Sequence, residues 1–425
     1  MKIALFITSV LSLLFASQSA CSQAITPETP GLLPTPVVRA LLEQDPSVSA
    51  TLAGLEAARQ EAGLLEASPY EWTAKVTAQR RAVQHESTYR EWNAGIERGI
   101  RLPGKAAADR KMSRAVLAEA EANYGEALHE TARDLLKLWL DWLAAEQALQ
   151  LTSQHRASIQ ENLAIVEKRV KAGDVARLDL NLAQAELAEQ KRSETDARTQ
   201  AQIAWGRLQA RFPNFDRQFN RLPTAVQVRQ EASFWRERIL GESDELKIAI
   251  AQFDKAQAHA ERGRAEQTPD PTVGVFTSSE VGGRERVTGI SISIPLSLGS
   301  VGSMGSQSIR SQRSAKSSHL ATMSRHELEL RKRQLTADIN ATIVNAEGYY
   351  ESQQLAESSL AAAQTNAKLV QRAYALGEVE LQALLAARRQ ATSAAQNALG
   401  AKVAASMAYY LLLVDAHLVW DLDHE

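Results

Sequence analysis

Val166–Leu187 reads VEKRVKAGDVARLDLNLAQAEL, and Val370–Ala391 reads VQRAYALGEVELQALLAARRQA. Each is a helical stretch punctuated by one small device, a glycine followed by an acid and a valine: Gly173-Asp174-Val175 in the first, Gly377-Glu378-Val379 in the second. The glycines are 377 − 173 = 204 residues apart, close to half of the 425-residue chain. A helix that must reverse needs a residue able to take positive φ, and glycine does so without steric cost.

Proline placement shows how much helix each turn interrupts. Of the twelve prolines, none falls between Pro103 and Pro213, and none after Pro295. Because proline breaks helices, these two spaces predict helical territory. The apolar spacing agrees: Leu135, Leu138, Trp142, Ala145 and Leu149 step by three and four, as do Leu335, Ile339, Ile343, Ala346 and Tyr350. A continuous helix from Ala106 to Lys171 is about 100 Å long, more than an ordinary globular core spans.

Before each helical territory the period changes from 3.6 to two. In YEWTAKVTAQRRA, Trp72, Ala74, Val76 and Ala78 share a face; in WNAGIERGIRLPGK, Ala94, Ile96, Arg98, Ile100 and Leu102 do. The second half repeats the plan around Gly282-Gly283, with Ile290, Ile292, Ile294 and Leu296 alternating with other residues. These stretches predict two β-hairpins, at about 70–102 and 272–296, each closed by a proline before a long helix. Pro103, Gly104 and Pro295 mark the strand-to-helix transitions. Alternation at this length is what transmembrane barrel strands show, and Tyr70, Trp72, Tyr89 and Trp92 are candidates for an aromatic girdle.

Composition narrows the rest. The net charge of −2 gives no electrostatic reason to expect nucleic acid, and the single cysteine, Cys21, excludes a disulfide framework. Residues 1–24 read as a secretory signal peptide, with Lys2 and then an apolar run from Ile3 to Ala16. Cleavage at Ser22-Gln23-Ala24 removes Cys21; as the alternative, Ser19-Ala20-Cys21 half-resembles a lipoprotein site, although Gln18 stands where leucine belongs. Beyond the leader no apolar stretch approaches the ~20 residues of a membrane helix, so entry into a membrane must be as strands. Two hairpins supply only four strands, which cannot close. Edge backbone groups in lipid demand partners, so several chains must pool their strands; three copies give twelve, a known barrel size.

On these features the chain resembles the TolC-like outer-membrane efflux family along nearly everything after the leader. The resemblance implies a mainly α protein with β-hairpins, internally duplicated. It also implies a homotrimer with a 12-stranded outer-membrane β-barrel, four strands per chain, continued by a long periplasmic α-helical barrel. The repeats are expected at 25–210 and 241–414, joined by a linker or equatorial region at 211–240 and followed by a tail at 415–425. Implied partners are a periplasmic membrane-fusion adaptor, an inner-membrane RND-type pump and outer-membrane lipid, in a Gram-negative bacterium. The two glycine turns then lie at the periplasmic tip, where Gly173, Asp174, Val175, Gly377, Glu378 and Val379 would meet the adaptor. The segment IRLPGKAAADRK is similar to one in the heavy-metal branch of the family, so cobalt, zinc, cadmium, nickel or copper export is the expected task, with drug efflux or type I protein secretion as alternatives.

Family members narrow the pore with carboxylates near the tip, commonly aspartate six residues after the glycine. Asp179 holds that place in the first copy, but Ala383 holds it in the second, so Glu378 and Glu380 join Asp179 as gate candidates. For Asp174 and Glu378 a solvated helix start, favoured by the helix dipole, is an equal reading. His319 and His326 lie seven apart without a further ligand and read as surface or packing residues. The glycines of SLGSVGSMGS lack the Lys-Ser/Thr of a phosphate loop and read as the flexible crossing from strand to helix. Trp139 and Trp142 read as helix packing. No catalytic constellation, cofactor site or nucleotide loop stands out, and the chain reads as a non-enzyme that conducts passively. Two further classes remain: a periplasmic coiled-coil adaptor, which would lack the duplication, and a secreted coiled coil, which would lack the alternating strands.

Overall fold

The computed structural model describes residues 31–295, 305–420 and 422. The leader and Cys21 lie outside the described residues, as do Gly299 and Gly302 of the glycine-rich crossing. The first half of the chain runs α1 (Thr35–Glu43), α2 (Pro46–Glu66), β1 (Trp72–Ala82), β2 (Thr88–Gly99), α3 (Pro103–Ala172) and α4 (Arg177–Arg211). The second runs α5 (Ala232–Glu242), α6 (Asp244–Ala265), β3 (Thr272–Glu280), β4 (Glu285–Ser293), α7 (Gly305–Ala375) and α8 (Leu381–Asp415). The order is the same and the lengths nearly so: the long helices have 70 and 71 residues, and the helices that follow the glycine turns have 35 each. The boundary expected at 240/241 falls inside α5, because a short helix precedes each hairpin-bearing half, as α1 does the first.

Local chemistry starts these elements. Asp45 caps α2 by accepting from the Ser47 N–H, with Pro46 in the first turn, and Ser243 caps α6 through the Leu246 N–H. Pro103 opens α3, where its missing N–H costs nothing. At 1.5 Å per residue α3 is about 105 Å long.

The four strands form one antiparallel sheet in the order β1-β2-β3-β4, so the two hairpins are joined by β2 pairing with β3 and both outer strands are edges. The main core lies elsewhere, midway along the long helices. There the segment 211–231, α5 and the C-terminal residues wrap around α3, α4, α7 and α8. Trp139 and Tyr410 are completely buried, Trp142 packs on Trp205 and Phe215, and the Trp139 indole N–H donates to Phe219 O at 2.8 Å. Trp139 and Trp142 are thus packing residues. The expectation that no helix after the leader is apolar enough to cross a membrane needs correction for α8, which qualifies by length and composition. Its C-terminal half is in the core, with Tyr410, Leu412 and Val414 fully buried, so its apolarity serves packing.

Candidate functional site

The sheet sorts its residues by face. Cross-strand partners share a face, and each strand alternates. The register Ala74↔Ile96, Ile96↔Val275 and Val275↔Ile290 therefore places these residues side by side on one face, along with Trp72, Val76, Ala78, Trp92, Ala94, Val273 and Ile292. The opposite face carries Lys75, Thr77, Gln79, Glu91, Asn93, Glu97, Ser278 and Ser291, which line a concave hollow of about 440 Å³. Among the described residues nothing covers the apolar face: Val76 is 76% exposed, Ile290 73% and Ile292 69%. Water is a poor solvent for such a face, and lipid is a good one. Trp72 pairs with Arg98, six residues along β2 from Trp92, so the two tryptophans stand about 20 Å apart, near the height of the apolar band of a membrane barrel. The other two aromatics expected in a girdle are elsewhere. Tyr89 falls on the polar face and donates to Glu86, and Tyr70 is tied to Asp270.

Below the sheet, the strand-to-helix junction is a charged knot drawn from both halves of the chain. Asp270 accepts from the Tyr70 hydroxyl at 2.6 Å and from the Leu102 N–H at 3.0 Å, and pairs with Lys105 at 3.0 Å. Its carboxylate thereby caps the start of α3 from 168 residues away, a place where negative charge is favoured. Burial pushes the Asp270 carboxyl up, but the bonds from Tyr70, Leu102 and Lys105 outweigh it and hold the group below the usual carboxylate range. Arg101 and Arg262 both reach Asp109, at 3.1 and 2.8 Å, and Arg101 also donates to Leu65 O and Glu66 O. Pro103 and Gly104 open α3 here, with Gly104 against Ala265 of α6, while Pro295 stands exposed beyond β4. Reading the prolines alone missed Asp270. Its signal was an acid between Pro269 and Pro271, beside a hairpin whose partner segment carries Arg101 and Lys105.

At the far end of the helices the two glycine turns have one geometry. Gly173 has φ 83°, and the Asp174 N–H donates to Arg169 O at 2.9 Å; Gly377 has φ 79°, and the Glu378 N–H donates to Ala373 O at 2.9 Å. Both are left-handed helix ends closed by the same pair of backbone bonds. A Cβ on either glycine would meet nothing within 4 Å, so within the chain the requirement is one of conformation rather than space. Val175 and Val379 are half-buried, and Asp174, Glu378 and Glu380 are exposed. Asp179 and Ala383 are equivalent: each N–H donates to the residue three before it, Ala176 O and Glu380 O, at 3.1 Å. The second tip thus trades an aspartate inside the helix for a glutamate at its cap. Val166, Ala183, Leu381, Leu384 and Leu385 pack the two tips against each other. Beside them the Tyr374 hydroxyl is buried with no hydrogen-bond partner among the described residues, and Arg169 stacks over its ring at 5.4 Å. His319 and His326 are both exposed, and among the described residues no group of His, Cys, Asp and Glu is arranged to hold a metal ion.

Among the described residues the chain is thus an amphipathic four-stranded sheet with two free edges, carried on helices of 70 and 71 residues. Residues 37–211 match the profile of the Outer membrane efflux protein family. No curated protein sequence matches the chain. Solved structures share its fold. CusC, described as forming a transmembrane channel, aligns with a TM-score of 0.72 at 15% identity over 90% of this chain and 91% of its own. The CmeC outer membrane channel of Campylobacter jejuni aligns with 0.70 at 15% identity over 92% and 86%. The outer membrane protein VceC of Vibrio cholerae aligns with 0.71 at 15% identity over 90% and 94%. The first half of the chain thus matches the outer membrane efflux protein family, and over about 90% of its length the chain shares the fold of these outer-membrane channels.

Proposed function

We propose that three copies of this chain pool their sheets into a twelve-stranded barrel and carry heavy-metal cations passively outward from an inner-membrane RND-type pump, through a periplasmic adaptor docked at the helical tips. The observation that carries the reading is the sheet itself: among the described residues its apolar face is uncovered and the outer edges of β1 and β4 are unpaired. In lipid these edges can be satisfied only by closure, and β4 of one protomer against β1 of the next closes the ring. The parallel order and lengths of the two halves support an internal duplication with repeats near 25–210 and 241–414. That duplication would give a trimer six similar tips.

At each tip Gly173-Asp174-Val175 or Gly377-Glu378-Val379 is the adaptor contact. The exposed Glu378 and Glu380, with the partly buried Asp179, supply carboxylates that, repeated by threefold symmetry, narrow the pore and favour cations. Cation transport is also what the resemblance of IRLPGKAAADRK to the heavy-metal branch implies. Two measurements test the reading. Disulfide crosslinking between cysteines introduced in β1 and β4 should trap a trimer in the membrane fraction; only monomers would overturn the barrel. A deletion strain should lose resistance to cobalt, zinc, cadmium, nickel or copper; lost resistance to drugs alone would replace metal export by drug efflux.

A further inference from the structure

The charges on the sheet are segregated in a way that channel formation does not require. Every acidic strand residue, Glu91, Glu97, Glu280 and Glu285, falls on the polar face, as the register shows. Four of the six basic strand residues fall on the apolar face instead: Arg80, Arg90, Arg98 and Arg286. Arg98, at the end next to the helices, is accounted for: it lies over the Trp72 ring at 5.6 Å and donates to Tyr70 O at 3.0 Å. The other three stand at the opposite end. Arg80 and Arg90 are directly opposed across β1 and β2, two residues beyond the Ala78–Trp92 pair, and Arg286 shares the Trp92 row through Ser279. All three are exposed, and none has an ion pair or hydrogen bond among the described residues.

Two arginines directly opposed on a sheet repel, and no carboxylate on that face relieves them. They sit about 7 Å past the tryptophan that ends the apolar band, at the level where lipid headgroups begin. The end is the hairpin-tip end, away from the helices, and so faces the outer leaflet when the helices lie in the periplasm. Guanidinium groups bind phosphate oxygens in a planar, two-bond geometry, and one phosphate bridging Arg80 and Arg90 would turn repulsion into attraction. We infer that Arg80, Arg90 and Arg286 form a lipid-binding site that takes the phosphate-bearing headgroup of an outer-leaflet glycolipid. The inference rests on the reading of the sheet as part of an outer-membrane barrel.

The test uses the full chain reconstituted in phosphatidylcholine vesicles containing lipid A, with lipid A retained per protein measured after detergent extraction. The R80Q/R90Q/R286Q variant should retain at least about tenfold less, from the loss of three cations at an anionic surface. K75Q, which removes a cation from the polar face, should retain as much as the wild type. Inorganic phosphate added to the wild-type protein should not displace the lipid, since it has no chain to bury against the apolar band. Wild-type retention by the triple variant, an equal loss in K75Q, or displacement by inorganic phosphate would each overturn the site while leaving the barrel reading intact. Single-channel conductance of the same vesicles separates the two: a wild-type protein that neither inserts nor conducts removes the barrel reading, and the lipid site with it.

Discussion

The middle of the molecule and its sheet are built on opposite terms. At the middle Trp139, Leu135, Leu136 and Leu140 are completely buried, and Trp142, Trp205 and Phe219 each pack edge to face on Phe215, so the chain supplies its own interior. In the sheet Val76, Ile290 and Ile292 are more exposed than buried, and among the described residues the strands have no second layer. Stability therefore resides at the middle, which holds the protomer together, whereas the sheet completes its interior only with lipid on one side and neighbours at its edges.

That contrast is broken most directly at Trp139. Trp139→Ala removes the largest fully buried side chain and should destabilise the protomer by about 3–5 kcal/mol, read as a shift in urea unfolding followed by helical circular dichroism. If the loss is under about 1 kcal/mol, the middle is not where the protomer's stability resides. The junction should come next. Lys105→Met leaves the buried Asp270 carboxylate without its cation and should cost about 3 kcal/mol, with hydrogen exchange rising first at the ends of β1 and β3. Uniform exchange throughout the chain would instead mean that the knot does not anchor the sheet locally.

Acid should attack the middle before the sheet. His129 is buried against Val414 O and edge-on to His417, with Arg133, Asp415 and Glu126 around it. Burial first, then the positive Arg133, pushes its pKa down from 6.5 to about 3. The unfolded chain therefore binds a proton that the folded chain refuses. Stability is full above pH 6.5 and falls by about 1.4 kcal/mol per unit as pH drops from there toward 3. Unfolding by urea at pH 7 and pH 5.5 should show this loss in the wild type and not in His129→Gln; an equal loss in both would assign the acid sensitivity to other groups.

The tips should respond less in stability than in function. Gly173→Val or Gly377→Val forces a β-branched residue into a left-handed turn at a cost of about 1–2 kcal/mol, with no clash inside the chain. Trimer yield in the outer membrane should be unchanged, while crosslinking of tip cysteines to the adaptor and export should fall. Loss of the trimer would make these glycines folding residues, and unchanged crosslinking would place docking elsewhere. The smallest effect on the protomer should come from the sheet: Ile290→Ala should shift urea unfolding in detergent by less than about 0.5 kcal/mol yet lower the yield of detergent-stable trimer. A large shift in the protomer would show that the face is already covered in solution.

Much of this was legible in the chain because it is local. Proline-free stretches with apolar steps of three and four make long helices wherever they occur, and period-two alternation around Gly282-Gly283 makes a hairpin. A glycine that must take positive φ announces the end of α3 or α7 from its immediate neighbours alone. The residue six beyond Gly173, Asp179, could likewise be matched to Ala383 by counting, and the backbone bonds agree.

Other features depend on which distant segments meet. That Tyr89 leaves the aromatic face, and that Arg80 confronts Arg90, follows from a register one residue wide, because a slip of one moves every side chain to the other face. That Asp270 caps a helix 168 residues away, or that His129 sits against the carbonyl of Val414, is invisible in either segment by itself. The sequence alone determined the elements, their turns and their duplicated order, since these rest on backbone preference and periodicity within a few residues. Which charges are paired, which are stranded on the apolar face and where the interior lies emerge only on folding, because those depend on long-range packing and the free energy of leaving water.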